Sequence, residues 1–244
     1  MFQNTFIYSV LLIIAAFLTG CSKDDSLKLT IPENGFQVVQ ISPSDAEGRK
    51  QNALYLDPRS ITSEEFNSPA LSTFIDSMYT MMQRKEGVGI AANQLGKRLQ
   101  LFIIEAKSDN PRYKVLGPVE KQVFINPKIT NVSKERMNFW HGCLSAHGKK
   151  RGNVATFKWI DYECQNQKGE IQRGRLDGFA AVIFQHEFRH LMKGTYLDHA
   201  NHFLSKDELN QKLEKEELPF FELANDTLPL LIEGYQLEKS LENY

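Results

Sequence analysis

In His186-Glu187-Phe188-Arg189-His190, two imidazoles stand four residues apart and a carboxylate directly follows the first. On a helix that spacing puts both rings on one face, where they can bind one metal ion, and Glu187 can reach a water on that ion. Phe184, Phe188 and Leu191 flank the group. The turn is therefore at least partly buried, and buried histidines and carboxylates need partners, which a metal supplies. A catalytic metal site wants three protein ligands and an open position. The third ligand has several candidates: Cys143, Cys164, His141, His147, His199, His202 and downstream acids. Cys143 sits in His141-Gly142-Cys143-Leu144-Ser145, where Gly142 allows close backbone approach and Leu144 and Ser145 offer N–H groups. Taken alone, Cys143 reads more readily as a small buried residue than as a ligand. A further element is Gly87-Val88-Gly89-Ile90-Ala91-Ala92-Asn93-Gln94. Its small residues make a tight backbone for a substrate to lie against, and the Gln94 amide can stabilise an oxyanion. It is no phosphate loop, because the GxGxxG spacing and a following Lys-Ser/Thr are missing.

These residues have to be held by regular elements. Leu71, Phe74, Ile75, Met78, Met81 and Met82 repeat at helical spacing, and they predict a core-facing helix from Leu71 to Lys85, capped by Ser68. A second helix is predicted from about Gly178 to Met192 and carries the two histidines. A third begins at the Ser205-x-x-Glu208 capping box and ends before Pro219. Between the first two lie β-rich segments at Leu99 to Glu105, Gln122 to Ile125, Ile129 to Val132, Met137 to Trp140 and Ala155 to Tyr162. This order is α+β rather than alternating βαβ.

Gly87-x-Gly-Ile-Ala-Ala-x-Gln94, then Gly142-Cys-Leu-Ser145, then Gln185-His-Glu-x-x-His190, in that order, resemble the three signature motifs of peptide deformylases. The resemblance runs over about residues 54 to 200 and includes Leu56-Asp57-Pro58-Arg59 and Val123-Phe124-Ile125-Asn126-Pro127. It implies antiparallel sheets packed around a central helix that carries HExxH. It implies Cys143, His186 and His190 as ligands of one divalent metal, Fe²⁺ in first place and Zn²⁺ or Ni²⁺ as replacements. It implies Glu187 as general base, with the Gln94 side chain and the Leu144 N–H receiving the oxyanion. The substrate is then an N-formyl-methionyl peptide, paired along Gly89, with its methionine side chain among Val88, Phe139, Phe179, Val182 and Ile183. Some positions depart from the family pattern: His141 for a usual Glu, Arg189 for a usual Asp, Ala146-His147 for Ile-Pro, and Lys193-Gly194 where the Gly comes one place earlier. They motivate an alternative, a catalytically weak or inactive envelope peptide-binding protein on the same fold. A generic HExxH metalloprotease is a weaker third reading, because it gives the other two motifs no role.

The chain has 244 residues, with 29 Lys and Arg against 30 Asp and Glu. This near-neutral balance speaks against a nucleic-acid binder that rests on a basic surface. Three cysteines are too few for a disulfide scaffold. Residues 1–20 carry no charged side chain, and the apolar run Ile7 to Leu18 leads into Leu18-Thr19-Gly20-Cys21. A run of about 12 residues suits a signal peptide better than a membrane span. Its ending resembles a lipobox, which implies acylation of Cys21 and attachment to the bacterial envelope, on the periplasmic or outer-membrane side. The expected organisation is a signal peptide at 1–20, a tether at 21–35, one metallohydrolase domain at 36–218 and a C-terminal extension at 219–244. The oligomeric state is left open.

Overall fold

The computed structural model describes residues 31–42, 46–108, 116–146, 148, 150–223 and 229–242. Cys21 and the whole of the expected signal peptide lie outside the described residues, as do His147, Lys149 and Leu228. Among the described residues no helix is long and apolar enough to cross a membrane.

The helices are α1 (Ala46–Lys50), α2 (Pro69–Arg84), α3 (Gly178–Leu191) and α4 (Lys206–Glu214). The strands are β1 (Gly89–Ala91), β2 (Leu101–Ala106), β3 (Val119–Val132), β4 (Arg136–His141), β5 (Arg151–Phe157), β6 (Trp159–Gln165), β7 (Ile171–Asp177), β8 (His202–Leu204) and β9 (Glu222–Leu223). They form two sheets, a five-stranded one in the order β1-β2-β3-β6-β7 and a four-stranded one in the order β8-β5-β4-β9. Every pairing between these strands is antiparallel. The architecture is the α+β class expected from the order of elements, and α3 packs against β1, β2, β5 and β7.

The apolar run Leu101-Phe102-Ile103-Ile104 is wholly buried because β2 is covered on both faces. Phe102 and Ile104 join Phe124, Phe184 and Phe188 around α3. Leu101 and Ile103 join Leu71, Phe74, Ile75, Met78 and Met82 of α2. Phe184 is the hub of the first cluster, its ring 5.0 Å from Phe102 and 4.9 Å from Phe124, both edge-to-face, the arrangement that aromatic quadrupoles favour. The methionine stripe of α2 is therefore core, as its helical spacing predicts. Both predicted caps form. Ser68 Oγ accepts from the Leu71 N–H at 3.2 Å, and Ser205 and Glu208 exchange bonds of 3.1 and 2.7 Å.

Two strand readings need correcting. The segments 122–125 and 129–132 are one strand, β3, interrupted by register shifts near Asn126-Pro127. Proline cannot donate to a ladder, and a bulge accommodates it. Asn126, with φ of 50°, uses its side chain to bond Ile61 N–H and C=O, each at 2.8 Å. The segment 155–162 is the end of β5 and the start of β6, which belong to different sheets and meet at Lys158. Apolar residues on both sides of the corner made it look continuous. Beyond residue 218 the chain adds to the core. Leu231, Ile232 and Leu241 are buried, and the Tyr235 ring stands edge-on to Phe188 at 4.9 Å.

Candidate active site

Helix α3 brings His186, Glu187 and His190 into the space between the two sheets. Its placement depends on Gln185, a fully buried residue. Gln185 Oε1 accepts from the Phe157 N–H at 2.8 Å, and Nε2 donates to the Phe157 and Ala181 carbonyls at 2.9 and 3.0 Å. The bonds fall where the chain leaves one sheet for the other, so one side chain ties the helix to the sheet corner. Sequence reasoning gave Gln185 no role, although a glutamine amid Phe184, His186 and Phe188 is itself a signal that it bonds in the interior.

Cys143, His186 and His190 come together. One ligand atom from each lies within 4.8 Å of the others, and Cys143 Sγ is 3.2 Å from His190 Nε2. His190 Nδ1 is 3.1 Å from the Gly194 carbonyl, so it carries the proton and Nε2 keeps its lone pair. Among the described residues no other third-ligand candidate joins this group. His141 instead puts Nδ1 3.1 Å from His186 Nδ1. Cys164 is buried in the aromatic cluster around Phe184.

The electrostatics fit a divalent cation. Burial, helped by the charge on Glu187, pushes the Cys143 thiol up to about 12. Burial holds His186 well below its ordinary value, with His190 and Arg151 adding to the effect, and it lowers His190 to about 4. Burial likewise raises the Glu187 carboxyl well above the carboxylate range. Its Oε2 is buried and has no hydrogen-bond partner among the described residues. Burial thus favours the uncharged forms of two imidazoles, a thiol and a carboxyl gathered in one place. A cation bound by the thiolate and both rings would reverse the thiol's preference.

The other predicted residues surround this group. Gln94 Oε1 is held by the Ala91 N–H at 2.8 Å, which aims Nε2 at Ser145 Oγ (3.1 Å) and Cys143 Sγ (3.4 Å). Leu144 opens a short 3-10 turn, and the next amide, Ser145 N–H, points at the Cys143 sulfur at 3.4 Å. Strand β1 is the edge of its sheet, and among the described residues Gly89 pairs with Ile104 of β2 on one side only. A side chain at Gly89 would run into the Glu187 carboxylate. Val88, Gly89, Gln94, Phe139, Leu144, Phe179, Val182, Ile183, Cys143, His186 and Glu187 all line one cavity of about 1480 Å³. Phe139 packs 5.5 Å from Phe179.

The family profile described as Polypeptide deformylase matches residues 50–206. The chain belongs to the polypeptide deformylase family. It is 34% identical over 142 residues to the peptide deformylase of Leptospira biflexa, covering 57% of this chain and 76% of the relative. It is 37% identical over 135 residues to peptide deformylase 2 of a Nostoc species, covering 55% of this chain and 74% of the relative. A crystal structure of a class I type b peptide deformylase from Acinetobacter baumannii with Met-Ala-Ser bound superposes with a TM-score of 0.61 at 28% identity. It covers 67% of this chain and 96% of that one.

This deformylase chain fills its departures from the family pattern with specific contacts. Arg189 lies against Gly194 and reaches Asp198 at 3.4 Å, and Asp198 Oδ2 also accepts the Thr195 N–H at 2.7 Å. The reversed charge therefore braces the turn whose carbonyl holds His190. Tyr196, which sequence reasoning passed over, donates to the Lys150 carbonyl at 2.7 Å and lays its ring 6.1 Å from His186. Asn93, inside the first motif but given no task, donates to the His190 carbonyl at 2.7 Å.

Proposed function

We propose that this deformylase-family chain removes the formyl group from N-formyl-methionyl peptides, and that it works outside the cytoplasm, in the bacterial cell envelope on the periplasmic or outer-membrane side, anchored by acylated Cys21. The observation that carries the chemistry is the group of half-buried Cys143 and buried His186 and His190, with Glu187 and Gln94 bordering the same cavity. These three residues would hold a divalent metal, Fe²⁺ first and Zn²⁺ or Ni²⁺ in its place. When bound, such an ion acidifies water and polarises a carbonyl oxygen.

Glu187 is the general base. A carboxyl whose proton affinity burial has raised can take a proton from water and then return it to the departing amine. The Gln94 amide, fixed through its own oxygen on Ala91, presents N–H to the charge developing on the formyl oxygen, together with the Leu144 N–H. The free edge of β1 at Gly89 receives the peptide as an added strand. The apolar wall of Phe139, Phe179, Val182 and Ile183, with Val88 at the edge, takes the methionine side chain.

Two experiments test this. Full-chain protein loaded with Fe²⁺ or Ni²⁺ without oxygen is assayed for formate release from a formyl-Met peptide. Release that does not exceed a Glu187→Ala control rejects the activity. A Cys21→Ser chain, expressed in a bacterium and fractionated, should leave the membrane fraction. If it stays there, the anchor reading is wrong while the activity stands.

A further inference from the structure

His141 is buried, 2% exposed, at the end of β4, and the chemistry above gives it no task. Its Nδ1 lies 3.1 Å from His186 Nδ1. Two ring nitrogens at that distance share one proton, so one ring donates and the other accepts. The two arrangements are not equivalent. If His186 donates from Nδ1, its lone pair sits on Nε2. If His186 accepts at Nδ1, its proton sits on Nε2, and that atom cannot ligate. Only the first arrangement is compatible with metal binding.

We propose that His141 is a positioning residue for the metal: it accepts the Nδ1 proton of His186 and so commits His186 Nε2 to ligation. The inference rests on the metal-site reading of Cys143, His186 and His190. Packing holds the acceptor in place. The two rings are nearly parallel, 15° apart with centroids 5.3 Å apart. Tyr196 lies alongside both, 6.4 Å from His141 and 6.1 Å from His186. Phe139 stands edge-on to His141 at 5.3 Å. The pairing parallels that of the other metal imidazole, whose Nδ1 donates to the Gly194 carbonyl at 3.1 Å. Both rings thus have a neutral acceptor at Nδ1 and a lone pair at Nε2. Partners of this kind typically change metal affinity by about 10–100-fold.

The test compares wild-type full chain with His141→Phe, which keeps a flat ring but has no acceptor, and His141→Gln, whose Oε1 can accept. Zn²⁺ affinity is read by chelator competition, and circular dichroism monitors folding. His141→Phe should bind Zn²⁺ at least about 10-fold more weakly, and His141→Gln should recover most of that loss. In ¹⁵N-histidine-labelled, Zn²⁺-loaded wild type, long-range ¹H–¹⁵N correlation should place the His186 proton on Nδ1. This second readout decides the matter even where His141→Phe fails to fold. A folded His141→Phe with Zn²⁺ affinity within twofold of wild type overturns the inference, as does a loaded His186 protonated on Nε2. Wild type that binds no Zn²⁺ at all overturns the metal-site reading, and the inference falls with it.

Discussion

The side-chain amide of Asn93 donates to the main-chain carbonyl of His190 at 2.7 Å, and both residues are completely buried. One bond thereby joins the glycine-rich segment to the end of the HExxH helix. Helix ends leave carbonyls without intrahelical partners, and in an apolar interior each needs a donor. The Lys193 N–H still donates to that carbonyl at 3.1 Å, so removing the Asn93 amide should cost about 0.5–1.5 kcal/mol and loosen a metal ligand at the same time. Asn93→Ala is therefore expected to lower the urea midpoint and to weaken Zn²⁺ binding together. A loss of stability with unchanged metal affinity would separate the two roles.

Gly89 touches Glu187 so closely that there is no room for a methyl group between them. Gly89→Ala must displace either the β1 edge, where the peptide would pair, or the carboxylate that takes the proton. Overpacking of this kind costs about 1–3 kcal/mol. Formate release should fall at least about 10-fold, more than stability alone explains. A variant with unaltered kcat/KM would show that Glu187 is not needed in its present position.

Gln185 fixes α3 to the sheet corner through two bonds to Phe157, with a third to Ala181 inside the helix. Gln185→Leu keeps the volume but strands Phe157 N–H and C=O in the interior. The expected loss is about 2 kcal/mol or more, seen as a lower thermal midpoint in both metal-free and metal-loaded protein. A loss confined to the loaded form would argue for a direct part in the metal site.

Much of this was legible in the sequence for a physical reason. The two histidines, Glu187 and the apolar stripe of α2 follow helical spacing, which local periodicity fixes. The class of β2 followed from its unbroken apolar run. What stayed hidden depends on long-range placement. The corner at Lys158 between β5 and β6 interrupts no apolar pattern, because half-buried aromatics, Phe157 and Trp159, flank it. The paired rings of His141 and His186 are 45 residues apart in the chain. The bonds of Asn93 and Tyr196, and those of Gln185 to Phe157, run to backbone atoms of distant elements, and backbone atoms leave no trace in residue identity. Arg189 looked like a liability because its partner, Asp198, belongs to a Thr195-x-x-Asp198 capping box, and a capping box does not show which side chain from another element it will meet.

Acid should destabilise the metal-free protein through His190. Its folded-state value is lowered to about 4 against an ordinary 6.5. The unfolded chain therefore binds the proton first, and stability present above about pH 6.5 is lost as pH falls toward about 4. The shift corresponds to something on the order of 3 kcal/mol. Glu187 has the opposite sign, since its raised value makes the folded state take up its proton first as pH falls. The comparison that isolates His190 is the chelator-treated wild type against His190→Asn, by urea unfolding at pH 7 and pH 5. Wild type should lose distinctly more stability over that interval. Parallel losses would mean that the ring is solvated in the metal-free state.

Lys193 takes a left-handed backbone, φ of 61°, just past the end of α3, and its N–H donates to the His190 carbonyl at 3.1 Å. That conformation suits glycine and costs a side-chain-bearing residue roughly 1–2 kcal/mol. The glycine here comes one position later, where Gly194 is packed under the Arg189 guanidinium and its carbonyl holds His190. Lys193 is kept partly by an ion pair with Asp57 at 2.8 Å, but Asp57 is 66% exposed, and such pairs contribute little. Lys193→Gly should therefore relieve the backbone and stabilise the protein by up to about 1 kcal/mol, with Zn²⁺ affinity unchanged because the Gly194 carbonyl stays in place. Gly194→Ala should do the reverse, since its methyl group meets the guanidinium and shifts the carbonyl that orients His190. A thermal midpoint that falls in Lys193→Gly would assign the turn's stability to the Asp57 pair instead of to backbone geometry.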